Sequence, residues 1–307
     1  MVNRHNTGGI IVVTDNKKGK SIDPLKEIGT ISVIKRMVLT YQQVNISPIT
    51  IVGEKDTLYD LERELADYNV IFLKSDEKEN SMIDLVKIGI NFLKDKCEKV
   101  IYSPVVIPMF KMATLQKIVQ SESIIASPSY RKKAGHPVLL SNKIYEYILD
   151  SEYGMKDTIR SLMDEREFIE VKDEGIIRSL DDMDKLTILL DDHNEQIVHP
   201  FLRINIEKEE MFFNSRAKLL LILIDEIGTV KGACEHMALS YRKAWSIIED
   251  IEKALGFTVV NRRHGGKDGG RSSLTEEGKE FLIKYSKFEK EVKLFSEKKF
   301  NEIFLMK

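Results

Sequence analysis

The sequence predicts an α/β chain: a Rossmann-like, doubly wound, mostly parallel sheet in the N-terminal part, followed by a winged helix-turn-helix domain. Three observations predict it. Apolar runs alternate with helical patterns over roughly the first 190 residues. Between Gly228 and Leu274 a helix, a tight turn, a second helix and a glycine-hinged basic hairpin follow in order. The charge is also divided unequally between the two parts. Residues 214–299 carry 17 Lys and Arg against 13 Asp and Glu, while residues 1–213 carry 29 against 35.

In the first part, GIIVVT at 9–14 is a compact apolar run, as expected of a parallel strand covered on both faces. Further strand-like runs lie at 48–53, 70–74, 99–103 and 123–126, with a short pair at 167–171 and 175–177. Helical patterns at 31–44, 57–67, 81–96 and 110–120 fall between the early ones. Strand alternating with helix implies parallel pairing with helices on both faces. Residues 191–200 (DDHNEQIVHP) are polar and aperiodic, which sets the expected domains at 1–190 and 198–299. FLRINI at 201–206 alternates and reads as a strand opening the second domain.

From Ser215 the helical period takes over. One helix runs to Ile227 with Gly228 as its C-cap, and a short second helix covers 230–237. Ala238 and Leu239 form the turn. Ser240 caps a third helix that ends near Leu255, before Gly256. Strands at 257–263 and 271–274 flank a glycine-rich tip, and Thr275 caps a long last helix.

On a helical wheel Ala244, Ile248, Ile251 and Leu255 share the third helix's core face, with Trp245 on its shoulder read as core. Arg242, Lys243 and Ser246 point the other way, near the N-terminus, which is the end that recognition helices present to the major groove. Taken alone, Arg242 and Lys243 read as solvated charge. The hairpin changes the balance: Arg262, Arg263, His264, Lys267 and Arg271 cluster around Gly265-Gly266 and Gly269-Gly270. Such cations neutralise phosphates. The candidate DNA-binding residues are therefore Ser240, Arg242, Lys243, Ser246, Arg262, Arg263, Lys267 and Arg271, and duplex DNA is the expected partner. A nucleotide-binding loop is the other use of clustered glycines. This loop does not lie between a strand and a helix and has no GK[ST].

LSYRKAW, the GGKDGG tip and LTEEGKEFLIKY, in that order, make residues 198–290 resemble the DNA-binding domain of the molybdate-responsive (ModE-like) regulators. The resemblance implies a dimer. Phe281, Tyr285, Phe288, Val292 and Phe295 recur at heptad spacing and independently suggest a helix-pairing seam. The competing account is that this stripe covers the chain's own core. The regulators' molybdate-binding domains follow their last helix. The sequence ends at Lys307, so molybdate sensing is not expected.

The N-terminal part resembles the molybdenum-cofactor (MobA-like) nucleotidyltransferases, through GGIIVV, PLKEIG at 24–29, GHPVLLSNKIYEYIL at 135–149 and DEGIIRSLDDMDKL at 173–186. That resemblance implies a glycine-rich phosphate loop and two magnesium-binding aspartates. The loop position reads VVTDNKKGKS, with Asp15 where a glycine is expected. The first aspartate, in a D-x-P, is replaced by Val106 ahead of Pro108, and the second by Arg178. An isopropyl group and a guanidinium do not ligate magnesium. The domain is therefore expected to have lost the reaction, to need no metal or cofactor, and to act as a ligand sensor or scaffold. Lys17, Lys18, Lys20, Gly135, His136 and Arg178 are candidate cleft residues for a small anionic or nucleotide ligand. His136, between Gly135 and Pro137, serves a turn equally well. The alternative function is an active nucleotidyltransferase, using magnesium with CTP or GTP, fused to a DNA-binding domain. Cys97 and Cys234, far apart and outside any CxxC, fit a reducing cytoplasm. Leu219–Ile224 is too short an apolar run to cross a bilayer, and no signal peptide precedes the first strand, so no membrane association is expected.

Overall fold

The computed structural model describes residues 5–14, 23–75, 80–262 and 271–305. It contains two compact units, Met1–Val198 and His199–Lys307.

The first unit is built on one sheet. Its strands lie in the order Arg166–Glu170, Ile125–Tyr130, Val138–Ser141, Cys97–Pro104, His5–Val13, Ile49–Glu54, Val70–Ser75. The pairings of His5–Val13 with both neighbours are parallel, as are those of Ile49–Glu54 with Val70–Ser75 and of Arg166–Glu170 with Ile125–Tyr130. Val138–Ser141 runs antiparallel to both of its neighbours. The sheet is thus mostly parallel, as the alternating pattern predicts, with Val138–Ser141 reversed within it and the short Lys133–Ala134 antiparallel to Ile125–Tyr130. Ile10, Ile11 and Val12 of the central strand are fully buried, because helices cover both faces.

Helices Val33–Gln43, Lys55–Glu64, Met82–Leu93 and Met112–Val119 occupy the predicted helical stretches. Ser32 caps the first through Lys35 N, and Ser81 with Asp84 forms a capping box on the third. Two expectations change. Residues 174–177 form a 3₁₀ turn rather than a strand. Asp173 accepts from Gly175 N, and a Cβ on Gly175 would stand 1.9 Å from the Met109 carbonyl oxygen, so this segment closes tightly instead of extending. Most of the polar stretch after residue 190 is a helix, Leu190–Gln196, rather than a connector. His193 is buried there. The buried Arg36 guanidinium reaches its Nδ1 (3.2 Å), Asn194 Oδ1 (2.9 Å) and the Ile28 carbonyl. Burial and the Arg36 charge press the His193 pKa down to about 3, so the ring stays neutral.

The second unit opens with a small antiparallel pair, Ile206–Glu207 with Met211–Phe213. Only the last residue of the strand expected at 201–206 takes part. Three helices follow, Ser215–Ile227, Val230–Glu235 and Tyr241–Leu255. An antiparallel ribbon, Val260–Arg262 with Ser272–Leu274, and a helix, Glu276–Phe300, complete it. Its core gathers Leu220, Leu221, Leu223, Ile224, Ala244, Ile248 and Ile251, all fully buried. Each large apolar side chain so buried contributes about 1.5–3 kcal/mol.

Candidate nucleic-acid interface and strand-end cleft

Local caps set the geometry of the three-helix segment. Gly228 (φ 80°) and Gly256 (φ 79°) take the left-handed conformation that ends their helices, as the sequence predicts. Thr229 Oγ1 accepts from Gly232 N and starts the second helix. The chain then turns through Ala238 (φ 50°). Arg216, on the first helix, donates to the Ala238 carbonyl at 3.1 Å and fastens the turn. Ser240 Oγ accepts from Lys243 N at 3.2 Å, so this serine is the cap of the third helix. Arg242 and Lys243 are exposed in the first turn and Ser246 is half-buried. Their charge joins the positive end of the helix dipole, which suits a phosphate-bearing partner.

The ribbon is tied to the first helix. Ser272 N donates to the Gly228 carbonyl (2.7 Å), and Leu274 N to Asp225 Oδ1 (3.1 Å). Arg262 lies 4.6 Å over the Trp245 ring and donates to Glu252 Oε2 at 3.0 Å. Glu252 also accepts from Val259 N and Val260 N. Trp245 is thus not a core residue, as the wheel suggested. It is half-buried, between Tyr241 and Arg262, and serves as a platform for the ribbon. Arg271 is exposed. Arg263, His264, Lys267 and both glycine pairs lie outside the described residues.

The last helix divides the predicted seam. Phe281 and Tyr285 pack edge-on against Phe213, at 4.8 and 4.7 Å between ring centroids, and Tyr285 Oη donates to the Ile204 carbonyl. The inward face continues one turn on at buried Glu289, which binds Ser215, Lys218 and Lys293. Phe288 and Phe295 are exposed, at 50% and 64%. The first half of the stripe covers its own unit, and the second half is free to meet a partner.

In the first unit the segments carrying the two expected magnesium positions are hydrogen-bonded to each other. Leu180 N donates to the Val106 carbonyl at 2.9 Å, which places Arg178 two residues from that contact. Arg178 pairs with Glu174, and its Nη1 lies 3.8 Å from Asp182 Oδ2. Asp182 Oδ2 lies closer still to Lys185 Nζ, at 2.7 Å, so Glu174 and Asp182 both face cations. Asp173, buried nearby, accepts from Lys111 N, Thr114 Oγ1 and Gly175 N; burial raises its pKa against these donors. Among the described residues no group of three or more His, Cys, Asp and Glu side chains is arranged to hold a metal ion. The residues present at the two positions do not fit magnesium.

Gly135 has a steric role: a Cβ there would stand 2.3 Å from the Ile176 carbonyl oxygen, and His136 N donates to that same oxygen. The His136 ring meets Tyr102 edge-on at 5.5 Å. Burial and the nearby Arg166 guanidinium push its pKa down to about 4. Lys17, Lys18 and Lys20, with Asp15, lie outside the described residues. At the ends of the first two strands, Val13, Thr14, Glu54, Thr57 and Leu85 line a small cleft. Sequence reasoning missed the donation from Arg166 to Ser127 Oγ, because no motif links strands that become neighbours only in the folded sheet.

Residues 23–168 match the family model described as the MobA-like NTP transferase domain. Among curated proteins, the chain is 35% identical over 70 residues to the molybdenum-pterin-binding protein MopB of Rhodobacter capsulatus, covering 23% of this chain and 26% of that protein. It is 28% identical over 83 residues to the transcriptional regulator ModE of Haemophilus influenzae, covering 27% and 32%. The chain thus spans about a quarter to a third of the length of the curated relatives it matches. Among solved structures, a nucleotidyl transferase from Methanothermobacter superposes with a TM-score of 0.52 at 10% identity, over 62% of this chain and 98% of that one. The 4-diphosphocytidyl-2C-methyl-D-erythritol synthase of Anaerococcus prevotii does so with 0.51 at 16% identity, over 61% and 98%. At such identities the likeness is one of fold.

Proposed function

We propose that this chain, whose N-terminal unit carries a MobA-like NTP transferase domain, is a DNA-binding transcription regulator in which that domain no longer transfers nucleotides. The carrying observation is the second unit's three-helix segment and ribbon: a serine-capped third helix with Arg242 and Lys243 exposed at its start, followed by a ribbon held on Trp245. This is the arrangement a winged helix-turn-helix uses to enter the major groove while its wing meets the backbone. The partial likeness to ModE regulators supports the reading, and the names of the MopB and ModE relatives link it to molybdenum-cofactor metabolism. The N-terminal unit then acts as a ligand sensor or scaffold. The exposed Phe288 and Phe295 support a homodimer paired through the last helix. DNA binding by this route requires no metal or nucleotide. Both cysteines are buried and unbridged, in keeping with a cytoplasmic protein, and among the described residues no helix is long and apolar enough to cross a membrane.

The test is fluorescence anisotropy of the full chain on duplex DNA across a salt series. Replacing Arg242 and Lys243 by Ala lowers affinity and flattens the log K against log salt slope by roughly 0.9 for each phosphate that is no longer neutralised. An unchanged slope and affinity would refute the assignment of this helix to DNA. The alternative of an active nucleotidyltransferase joined to the same DNA-binding unit is separated by an assay of turnover.

A further inference from the structure

The helix Leu190–Gln196 is the last element of the first unit, and polar contacts hold it there along its length. Asn194 Oδ1 accepts from Arg36 Nη1 at 2.9 Å. Asp192 Oδ2 pairs with Lys111 Nζ at 2.8 Å. Gln196 Oε1 accepts from Met112 N at 2.6 Å, and so caps the helix Met112–Val119, whose own leading residue, Lys111, makes no side-chain cap. Leu190 closes over Gly29, where an added Cβ would stand 3.2 Å from its Cδ1. The segment is a strap across two helices of the unit, touching Arg36 on one and the head of the other.

His193 is the buried member of this strap. Its Nδ1 lies 3.2 Å from Arg36 Nη1. A guanidinium has hydrogens to give and no lone pair to offer, so Nδ1 accepts and carries no proton. A proton added there removes the acceptor and sets an imidazolium against the guanidinium. The charged groups that act on the ring from the packed elements are both cations, Arg36 from Val33–Gln43 and Lys111 from just ahead of Met112–Val119. The carboxylates around them do not answer a second charge. Asp192 is taken by Lys111 Nζ, Asp173 accepts from Lys111 N and Thr114 Oγ1, and Glu195 is exposed. Arg36 is buried with no carboxylate partner among the described residues, and the Glu27–Ile28 strand offers it only the Ile28 carbonyl. The Phe110 backbone favours a charged ring, but burial and the Arg36 charge outweigh it. Arg36 Nε and Gln196 Nε2 are buried with no hydrogen-bond partner among the described residues, which weakens the hold further.

We propose that the strap Leu190–Gln196 is an acid-released latch: it docks while His193 is neutral, and a proton on Nδ1 undocks it. Release withdraws Gln196 from Met112 N, parts Asp192 from Lys111 and uncovers Arg36 and Gly29. It also adds up to about 25 Å of extended chain to the connection between the two units, at roughly 3.3–3.6 Å for each strap residue. The docked ring takes a proton far less readily than the free one, with a pKa of about 3 against 6.5. Docking is therefore at full strength above the free ring's value of 6.5 and weakens as pH falls below it, about tenfold for each unit, until the docked value is reached. The latch holds or fails independently of DNA binding by the second unit.

The experiment is hydrogen exchange of the full chain by mass spectrometry from about pH 8 to about pH 5, corrected for the intrinsic rate with an unstructured peptide. The expected result is protection of the 190–196 amides that is constant down to about pH 6.5 and then falls about tenfold per unit. The central strand His5–Val13 keeps its protection throughout. In His193→Asn the side-chain oxygen stands near the place of Nδ1 and accepts from Arg36 but takes no proton. Strap protection in that variant no longer changes with pH, whatever its level. If the variant fails to fold, the ring itself decides: the His193 resonances of the parent titrate in step with the loss of strap protection. Protection that is independent of pH in the parent, a pH dependence that survives in His193→Asn, loss of protection without titration of the ring, or simultaneous loss in His5–Val13 would each overturn the proposal.

Discussion

The backbone N–H of Leu180 donates to the carbonyl of Val106 across 2.9 Å. This single bond joins the end of the Cys97–Pro104 strand to the loop carrying Arg178. It ties Val106, at one of the two positions where the resemblance implies a metal-binding carboxylate, to the loop that carries the other, Arg178, and neither is a carboxylate. Arg178 pairs with Glu174, and Asp182 with Lys185 at 2.7 Å, so both carboxylates already face cations of the chain itself.

Nucleotide transfer is accordingly expected to be absent. Incubation of the purified chain with CTP or GTP, magnesium and a molybdopterin-type acceptor releases no pyrophosphate over many protein equivalents. Sustained turnover that is abolished by mutating the cleft would restore the enzyme reading. Val106 and Arg178 do not ligate the ion that offsets charge on the leaving pyrophosphate.

Arg262 is expected to act on stability as well as on DNA. Its contact with Trp245 and its ion pair with Glu252 are partly solvent-exposed, so Arg262→Ala costs the second unit about 1 kcal/mol. Chemical denaturation measures that cost, and anisotropy measures DNA affinity on the same sample. Arg271→Ala, at an exposed position with no such anchor among the described residues, weakens DNA binding with stability unchanged. Equal destabilisation in the two variants would contradict the anchoring role of Trp245.

Glu289 predicts an acid-sensitive second unit. Burial alone would raise its pKa; the Lys218 and Lys293 ammonium groups outweigh burial and hold it below the usual carboxylate value of 4.5. A group whose folded pKa is depressed contributes stability in full above its unfolded pKa, and loses it as pH falls through the folded one. The contribution is therefore intact at neutral pH and declines below about pH 4.5. Glu289→Gln destabilises at pH 7 by about 1–3 kcal/mol, below the range for fully buried pairs because both lysines keep contact with water. The difference between variant and parent shrinks towards zero in acid. A difference independent of pH would show that the carboxylate charge is not what stabilises this helix.

Self-association is expected to depend on the outer half of the last helix. Phe288→Asp with Phe295→Asp gives a monomer by light scattering, with the fold retained, because both side chains point away from the Phe213 cluster. Phe281→Asp instead unfolds the unit, since that ring packs on Phe213. A folded Phe288, Phe295 double variant that keeps the parent's dimeric mass would place the interface elsewhere.

The sequence by itself determined what neighbouring residues settle among themselves. The glycines at 228 and 256 end helices because their left-handed backbone is cheap only without a Cβ. Ser240 and Thr275 start helices because their side chains reach a backbone N–H three residues on. The strand and helix order of the first unit follows from apolar period in the same way. Tertiary structure alone decided the rest. Val138–Ser141 reads as one more apolar run, and only its place between Cys97–Pro104 and Ile125–Tyr130 makes it antiparallel. The polar stretch after residue 190 becomes a helix because Arg36, over 150 residues earlier, meets His193 and Asn194. The heptad stripe splits because Phe213 occupies its first half. Arg166 meets Ser127 because their strands, far apart in the chain, are neighbours in the sheet. Caps and period act within a turn or two of backbone, whereas these contacts exist only after several elements have fixed one another's register.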